Sequence, residues 1–213
     1  PIVLEGVTGS GKTEVYFEIV EEVYKKNKQI LIMVPEISLT PQLEKRFLER
    51  FGFNPEVWHS KISDKKRKSI WFRSYLGEPI VVIGARSSLF LPFKKLGLII
   101  VDEEHDISYK QEDNIRYHAR DIATVRAKIE KCNIILSSAT PSLETQNNIN
   151  KKKYKHVFLK SQFSGIELPK IELINLNENL LKKDKWISQP IIDELTSCLN
   201  KKEQALLFLN RRG

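Results

Sequence analysis

The chain has 213 residues, 41% of them hydrophobic, enough for one full domain core and part of a second. No apolar run approaches the ~20 residues of a membrane span, no signal-peptide pattern opens the sequence, and Cys132 and Cys198 lack C-x-x-C spacing. The cysteines read as free thiols of a reducing cytosol, and a net charge of +8 (35 Lys and Arg against 27 Asp and Glu) favours a polyanionic partner, although plain lysine enrichment gives the same balance.

Ile2-Val3-Leu4 reads as a short buried strand running into Gly6-Val7-Thr8-Gly9-Ser10-Gly11-Lys12-Thr13, a complete G-x-x-x-x-G-K-[ST] phosphate loop. Its glycines let the backbone turn until the N–H groups converge on phosphate oxygens. Lys12 is expected to reach the β- and γ-phosphates of ATP, and the Thr13 hydroxyl to help hold Mg²⁺. Glu14 to Lys25 follows with Val15, Ile19 and Val23 at helical spacing, the strand–loop–helix context the motif requires. Gln29 to Val34 is the next strand, then a helix from about Pro41; Glu56 to His59 and Ser63 to Leu76 repeat the pair.

Ile80 to Gly84 and Leu98 to Val101 are further strands, the second a continuous apolar run of the kind found in central parallel strands. It ends in Asp102-Glu103-Glu104-His105. Ligands of open α/β sheets gather at the carboxyl ends of strands, which makes Asp102 the Mg²⁺ ligand and Glu103 the carboxylate that polarises or deprotonates the attacking water. Ala119 to Ile129 is helical, Asn133 to Leu136 a strand, and Pro141 opens another helix. Thr40-Pro41 and Thr140-Pro141 each place a capping hydroxyl before a proline suited to a first helical turn. Ser138 and Thr140 directly follow a strand, where they can hydrogen-bond the acidic tetrad (Glu104 and His105 included) and couple nucleotide state to movement of the sheet.

From Lys151 to Ser188 the pattern loosens into extra strands and a linker. Ile191 to Leu199 then reads as a helix and Ala205 to Leu209 as a strand. The alternation predicts an α/β fold, a doubly wound parallel sheet with crossover helices. The expected divisions are a nucleotide-binding lobe over 1–150, additional strands and linker over 151–188, and a truncated second lobe over 189–213. A start at Pro1, a single methionine at Met33 and a stop at Arg211-Arg212-Gly213 make the sequence read as a piece of a longer protein.

In order along the chain, GVTGSGKTEVY (6–16), VPEISLTPQ (34–42), GARSSLFLPF (84–93), VDEEHDISYK (101–110), RYHARD (116–121), SATPSLET (138–145) and FLNRRG (208–213) resemble the primosomal replication-restart helicases, the PriA family of superfamily 2. The resemblance implies a RecA-like P-loop lobe of a bacterial, cytoplasmic ATP-dependent DNA helicase. Such an enzyme translocates 3′ to 5′ on single-stranded DNA and acts at forks with other primosome proteins and single-stranded-DNA-binding protein. It implies ATP and Mg²⁺ as cofactors. Zinc belongs to the family's full-length protein, with no ligand set for it in these residues; the second-lobe arginine finger is absent too.

By the same resemblance, Pro35, Glu36, Thr40, Pro41 and Gln42 stand at motif Ia on the DNA face, and Arg86, Ser87 and Ser88 at motif Ib. Hydroxyl and guanidinium groups there suit a phosphodiester backbone; on its own, Arg86 would read as a surface ion pair. Tyr109 to His118 resembles the family's aromatic-rich loop, with Tyr109 and Tyr117 expected to stack on bases, or Tyr117 to pack beside the following helix. Ala85 and Ile115 stand where threonine and tryptophan are usual. The competing readings are another superfamily 2 translocase and a truncated, non-catalytic nucleotide- or DNA-binding remnant.

Overall fold

The computed structural model describes residues 1–35, 40–160, 170–175, 177 and 187–208. They form two compact units, Pro1–Ile166 and Glu167–Gly213. The first unit is built on a seven-stranded sheet of β1 (Ile2–Gly6), β2 (Gln29–Met33), β3 (Glu56–Trp58), β4 (Val81–Gly84), β5 (Leu96–Val101), β8 (Asn133–Ser138) and β9 (Lys155–Leu159). The strand order is β3-β4-β2-β5-β8-β1-β9, and every pairing is parallel. A two-residue ribbon of β6 (Lys110–Gln111) and β7 (Tyr117–His118) stands apart from it as an antiparallel pair. The helices of this unit are α1 (Lys12–Lys25), α2 (Thr40–Phe51), α3 (Asp64–Leu76), α4 (Ala119–Ile129) and α5 (Leu143–Asn150).

The apolar runs alternate across the sheet because successive side chains of a strand point to opposite faces. On β2, Ile30 and Ile32 join Tyr16, Phe17 and Val20 of α1 and Phe47 of α2, while Leu31 and Met33 join Ile70 of α3 and Ala119, Ala123 and Ala127 of α4. Two cores result, one per face, and the central strands are buried on both sides, which is why they read as unbroken aliphatic runs. Edge-to-face contacts of Phe17 with Phe47 and Phe51 pin α1 to α2. Ser63 caps α3, accepting from Lys66 N–H at 3.3 Å, and Gly77 ends it in the left-handed conformation at φ 79°.

Two expectations change, and a third gains a definite place. The helix expected from Pro141 begins at Leu143, because Ser142, not Thr140, caps it, its hydroxyl accepting from Thr145 N–H at 3.3 Å. Lys155–Leu159 is one of the additional strands expected after residue 150, pairing in register with β1 from Ile2 opposite Lys155 to Gly6 opposite Leu159 at the edge of the sheet. The strand expected over Ala205 to Leu209 is absent at 205–208, since a strand needs a pairing partner and the described residues offer none; Leu209 lies outside them.

The second unit, by itself, contains α6 (Gln189–Asn200), which opens on Pro190 in its first turn and has no fully buried side chain.

Candidate functional site

The strand order sets β5, β8 and β1 side by side, so the segments leaving their carboxyl ends converge: the phosphate loop after β1, the Asp-Glu-Glu-His turn after β5 and Ser138 at the end of β8. Gly9 and Gly11 take φ of 79° and 86°, the left-handed region that glycine enters without strain. Gly6 is required by close approach, since a Cβ there would sit 2.5 Å from Ser10 Oγ. Lys12, 8% exposed, folds its ammonium back to donate to the carbonyls of Gly6 at 2.7 Å and Val7 at 3.4 Å. Ser10 Oγ is buried without a hydrogen-bond partner. A cation resting on loop carbonyls and an unsatisfied buried hydroxyl form a donor set that fits a polyphosphate.

Across the cleft, Asp102 is oriented by side chains far from it in sequence. Ser137 Oγ donates to Oδ1 at 2.9 Å, and Tyr16 OH donates to Oδ2 at 3.1 Å. Tyr16 also interacts with the Thr13 side chain, so one phenol links both candidate Mg²⁺ ligands. Behind them, Tyr109 OH lies 2.6 Å from Asp102 O and 3.0 Å from Met33 O, a shared donor tying the ends of β5 and β2. Burial, then the charge of Asp102, holds both phenols well above the usual tyrosine range, so they stay protonated donors. Asp102 and Thr13 supply one carboxylate and one hydroxyl, hard oxygen ligands of the kind Mg²⁺ takes alongside water and phosphate.

Glu103 has φ 46°, unusual for a residue with a side chain, and half-faces the cleft. Burial and the neighbouring Asp102 raise its carboxyl above the ordinary value, against the pull of Lys12 and His105. His105 Nδ1 lies 2.8 Å from Ser138 Oγ, which also accepts from Thr140 N–H at 2.9 Å. The Thr140 contact is thus made by its backbone. Glu104 does not reach Ser138 or Thr140 at all. It is wholly buried and accepts from Arg120 Nη1 at 3.1 Å, Ser142 N–H at 2.7 Å and Thr145 Oγ1 at 3.0 Å, clamping the acidic turn to the starts of α4 and α5. Tyr16, Arg120, Ser142 and Thr145 lie inside the stretches that carry the family resemblance and Ser137 just outside one, but nothing in the local pattern assigns any of these residues its partner here.

A cleft of about 1000 Å³ joins residues 8–15 to Asp102, Glu103 and the α2 side chains Gln42, Arg46 and Arg50. Pro35 and Gln42, expected on a DNA face, line this region together with Thr13 and Asp102. Glu36 and the Thr40 side chain lie outside the described residues, and Pro41 is exposed at the start of α2.

Two assignments to DNA fail on burial. Tyr109 is 0% exposed and occupied with backbone carbonyls, so it presents no face for a base; Ser88 is also 0% exposed, its hydroxyl donating to Ala85 O at 2.6 Å inside a 3-10 turn. Arg86 donates to Ser108 O at 3.0 Å and Lys110 O at 2.7 Å, bracing the loop around Tyr109, and is no surface ion pair. Ser87 is exposed. Tyr117 is half-buried and packs against the core cluster that holds Ala119 and Ala123 of α4, as its packing alternative expects, while its ring also lies edge-on to exposed Phe90 at 5.3 Å. Cys132 and Cys198 are free, and burial pushes the Cys132 thiol up to about 11.

The family model described as DEAD/DEAH box helicase matches residues 1–149. The chain belongs to that family. The chain is 52% identical over 214 residues to the replication restart protein PriA of Rickettsia prowazekii, covering 100% of this chain and 33% of that protein. It is 43% identical over 211 residues to the replication restart protein PriA of Bacillus subtilis, covering 99% and 26%. The chain thus spans a third or less of the length of these relatives. Among solved structures, RecG bound to a three-way DNA junction superposes with a TM-score of 0.55 at 26% identity, over 75% of this chain and 21% of that one.

Proposed function

We propose that this chain is the ATP-hydrolysing lobe of a replication-restart DNA helicase that translocates 3′ to 5′ on single-stranded DNA at forks. One observation carries the catalytic part: the phosphate loop and the Asp102–Glu103 pair line a single cleft at the carboxyl ends of β1 and β5, the parallel strands that flank β8. Full-length likeness of the chain to replication restart proteins supports the biological part. Partnership with other primosome proteins and single-stranded-DNA-binding protein belongs to the same proposal.

Lys12 exchanges the carbonyls of Gly6 and Val7 for the β- and γ-phosphates of ATP, and the loop N–H groups and Ser10 hydroxyl take the remaining oxygens. Thr13 and Asp102 would hold Mg²⁺, which neutralises charge on the phosphates when bound. Tyr16 and Ser137 keep the Asp102 carboxylate aimed into the cleft. Glu103, made more basic by its surroundings, orients the attacking water and takes its proton. His105 and Ser138 join the acidic turn to β8 and so pass nucleotide state to the sheet. Pro35, Gln42 and Ser87 with the Phe90–Tyr117 pair are the DNA-side groups.

The test separates binding from chemistry in the intact native protein. Lys12→Ala should abolish hydrolysis and weaken ATP binding, Asp102→Asn should weaken Mg²⁺-dependent nucleotide binding, and Glu103→Gln should keep binding while stopping phosphate release. Equal loss of binding in Asp102→Asn and Glu103→Gln would reject the division of roles. Full turnover in Lys12→Ala would reject the site.

A further inference from the structure

Arg46 lies on α2 one turn after Gln42 and one turn before Arg50, and all three side chains line the cleft that contains the phosphate loop. Its Nη2 donates to Glu14 Oε1 at 2.8 Å, on the residue next to Thr13. Arg50 repeats the pattern with Glu18, so the facing sides of α1 and α2 are zipped by charge. Arg46 also lines the cleft together with Thr13, Asp102 and Glu103. Arg46 is therefore a cation beside the candidate Mg²⁺ ligands, not a distant surface charge.

Its present partner is a weak one. Both side chains of the Arg46–Glu14 pair are about half exposed, at 48% and 53%, and solvent screens a pair of that kind until it adds little to stability. A phosphate offers a guanidinium more charge and a fork of two parallel hydrogen bonds, which a single carboxylate oxygen does not. An arginine held loosely at the wall of a phosphate cleft changes partner readily when the stronger acceptor arrives.

We propose that Arg46 reads the terminal phosphate of a bound nucleoside triphosphate: it leaves Glu14 for that phosphate and returns to Glu14 when only the diphosphate remains. The proposal rests on the nucleotide-site reading of the cleft and adds a cation to Lys12. Arg46 also lines a second pocket with Pro35 and Gln42, so the exchange would carry nucleotide state toward the proposed DNA side.

The experiment measures affinity for Mg²⁺–ADP and for a non-hydrolysable Mg²⁺–ATP analogue in the intact native protein. Arg46→Ala should lower analogue affinity about tenfold and leave ADP affinity unchanged. Arg46→Lys should recover part of that loss, and Glu14→Gln, which frees Arg46, should raise analogue affinity without folding consequences at an exposed site. Equal effects on the two nucleotides in Arg46→Ala, or no effect on either, overturn the proposal. Failure of the underlying reading has a different signature: Lys12→Ala would then keep both affinities.

Discussion

Arg120→Ala tests whether the buried clamp on the acidic turn holds the site together. Glu104 is completely buried, and Arg120 is the cation that compensates it, at 3.1 Å and 4% exposed. Removing one partner of a buried pair leaves an uncompensated charge and costs ~3–5 kcal/mol. Ser142 N–H and the Thr145 hydroxyl would still solvate the Glu104 carboxylate, which places the loss at the lower end, about 3 kcal/mol. With a urea dependence of about 2 kcal/mol per molar, the unfolding midpoint should fall by about 1.5 M. Arg120→Met combined with Glu104→Gln removes both charges at similar volume and should regain most of that loss. Glu104 N–H also donates to Ser137 O at 3.0 Å, beside the left-handed Glu103, so the single variant should lose hydrolysis more than nucleotide affinity. A single-variant loss below ~1 kcal/mol, or a double variant no better than the single one, would refute the clamp.

Three further outcomes follow from named contacts. Glu103 has a raised carboxyl pKa in the fold, so its ionised form costs stability as pH rises through that value; Glu103→Gln should melt higher than wild type at pH 7, with the gap closing below the ordinary value of 4.5, and a gap that persists in acid would contradict the assigned environment. Tyr109→Phe should cost ~1–2 kcal/mol through the lost donor to Asp102 O and Met33 O, and Tyr109→Ala ~3–5 kcal/mol, both lowering basal and DNA-stimulated ATPase in parallel. A selective loss of DNA stimulation would return Tyr109 to the DNA face. Phe90→Ala should weaken single-stranded DNA binding by ~1–3 kcal/mol and reduce DNA-stimulated ATPase with little change in melting temperature, whereas Tyr117→Ala, which also loses packing against the core, should lower DNA binding and melting temperature together; unfolding of the Phe90 variant would mean that its ring too is core packing.

The nucleotide half of this protein is written in contiguous residues. A phosphate loop works through its own backbone, so Gly6 to Thr13 identify it without help from the rest of the chain, and the run Leu98 to Val101 announces a doubly buried strand with a carboxylate at its end. Many helix positions were legible too: the helices expected over Ser63 to Leu76 and Ala119 to Ile129 are found at Asp64–Leu76 and Ala119–Ile129, although the cap expected at Thr140 falls to Ser142. Side-chain partners were not. Tyr16 and Asp102 are 86 residues apart and meet only because β1 and β5 flank β8 in the folded sheet. An aromatic such as Tyr109 in a polar, charged loop suits base stacking and core packing equally well as a residue type, and only the fold shows it closed beneath the ends of β2 and β5. Arg86, Glu104 and Arg46 make the same point with charge. Sequence supplies the group, while the low dielectric and fixed distances of the folded chain decide whether it braces a loop, clamps a turn or faces the cleft.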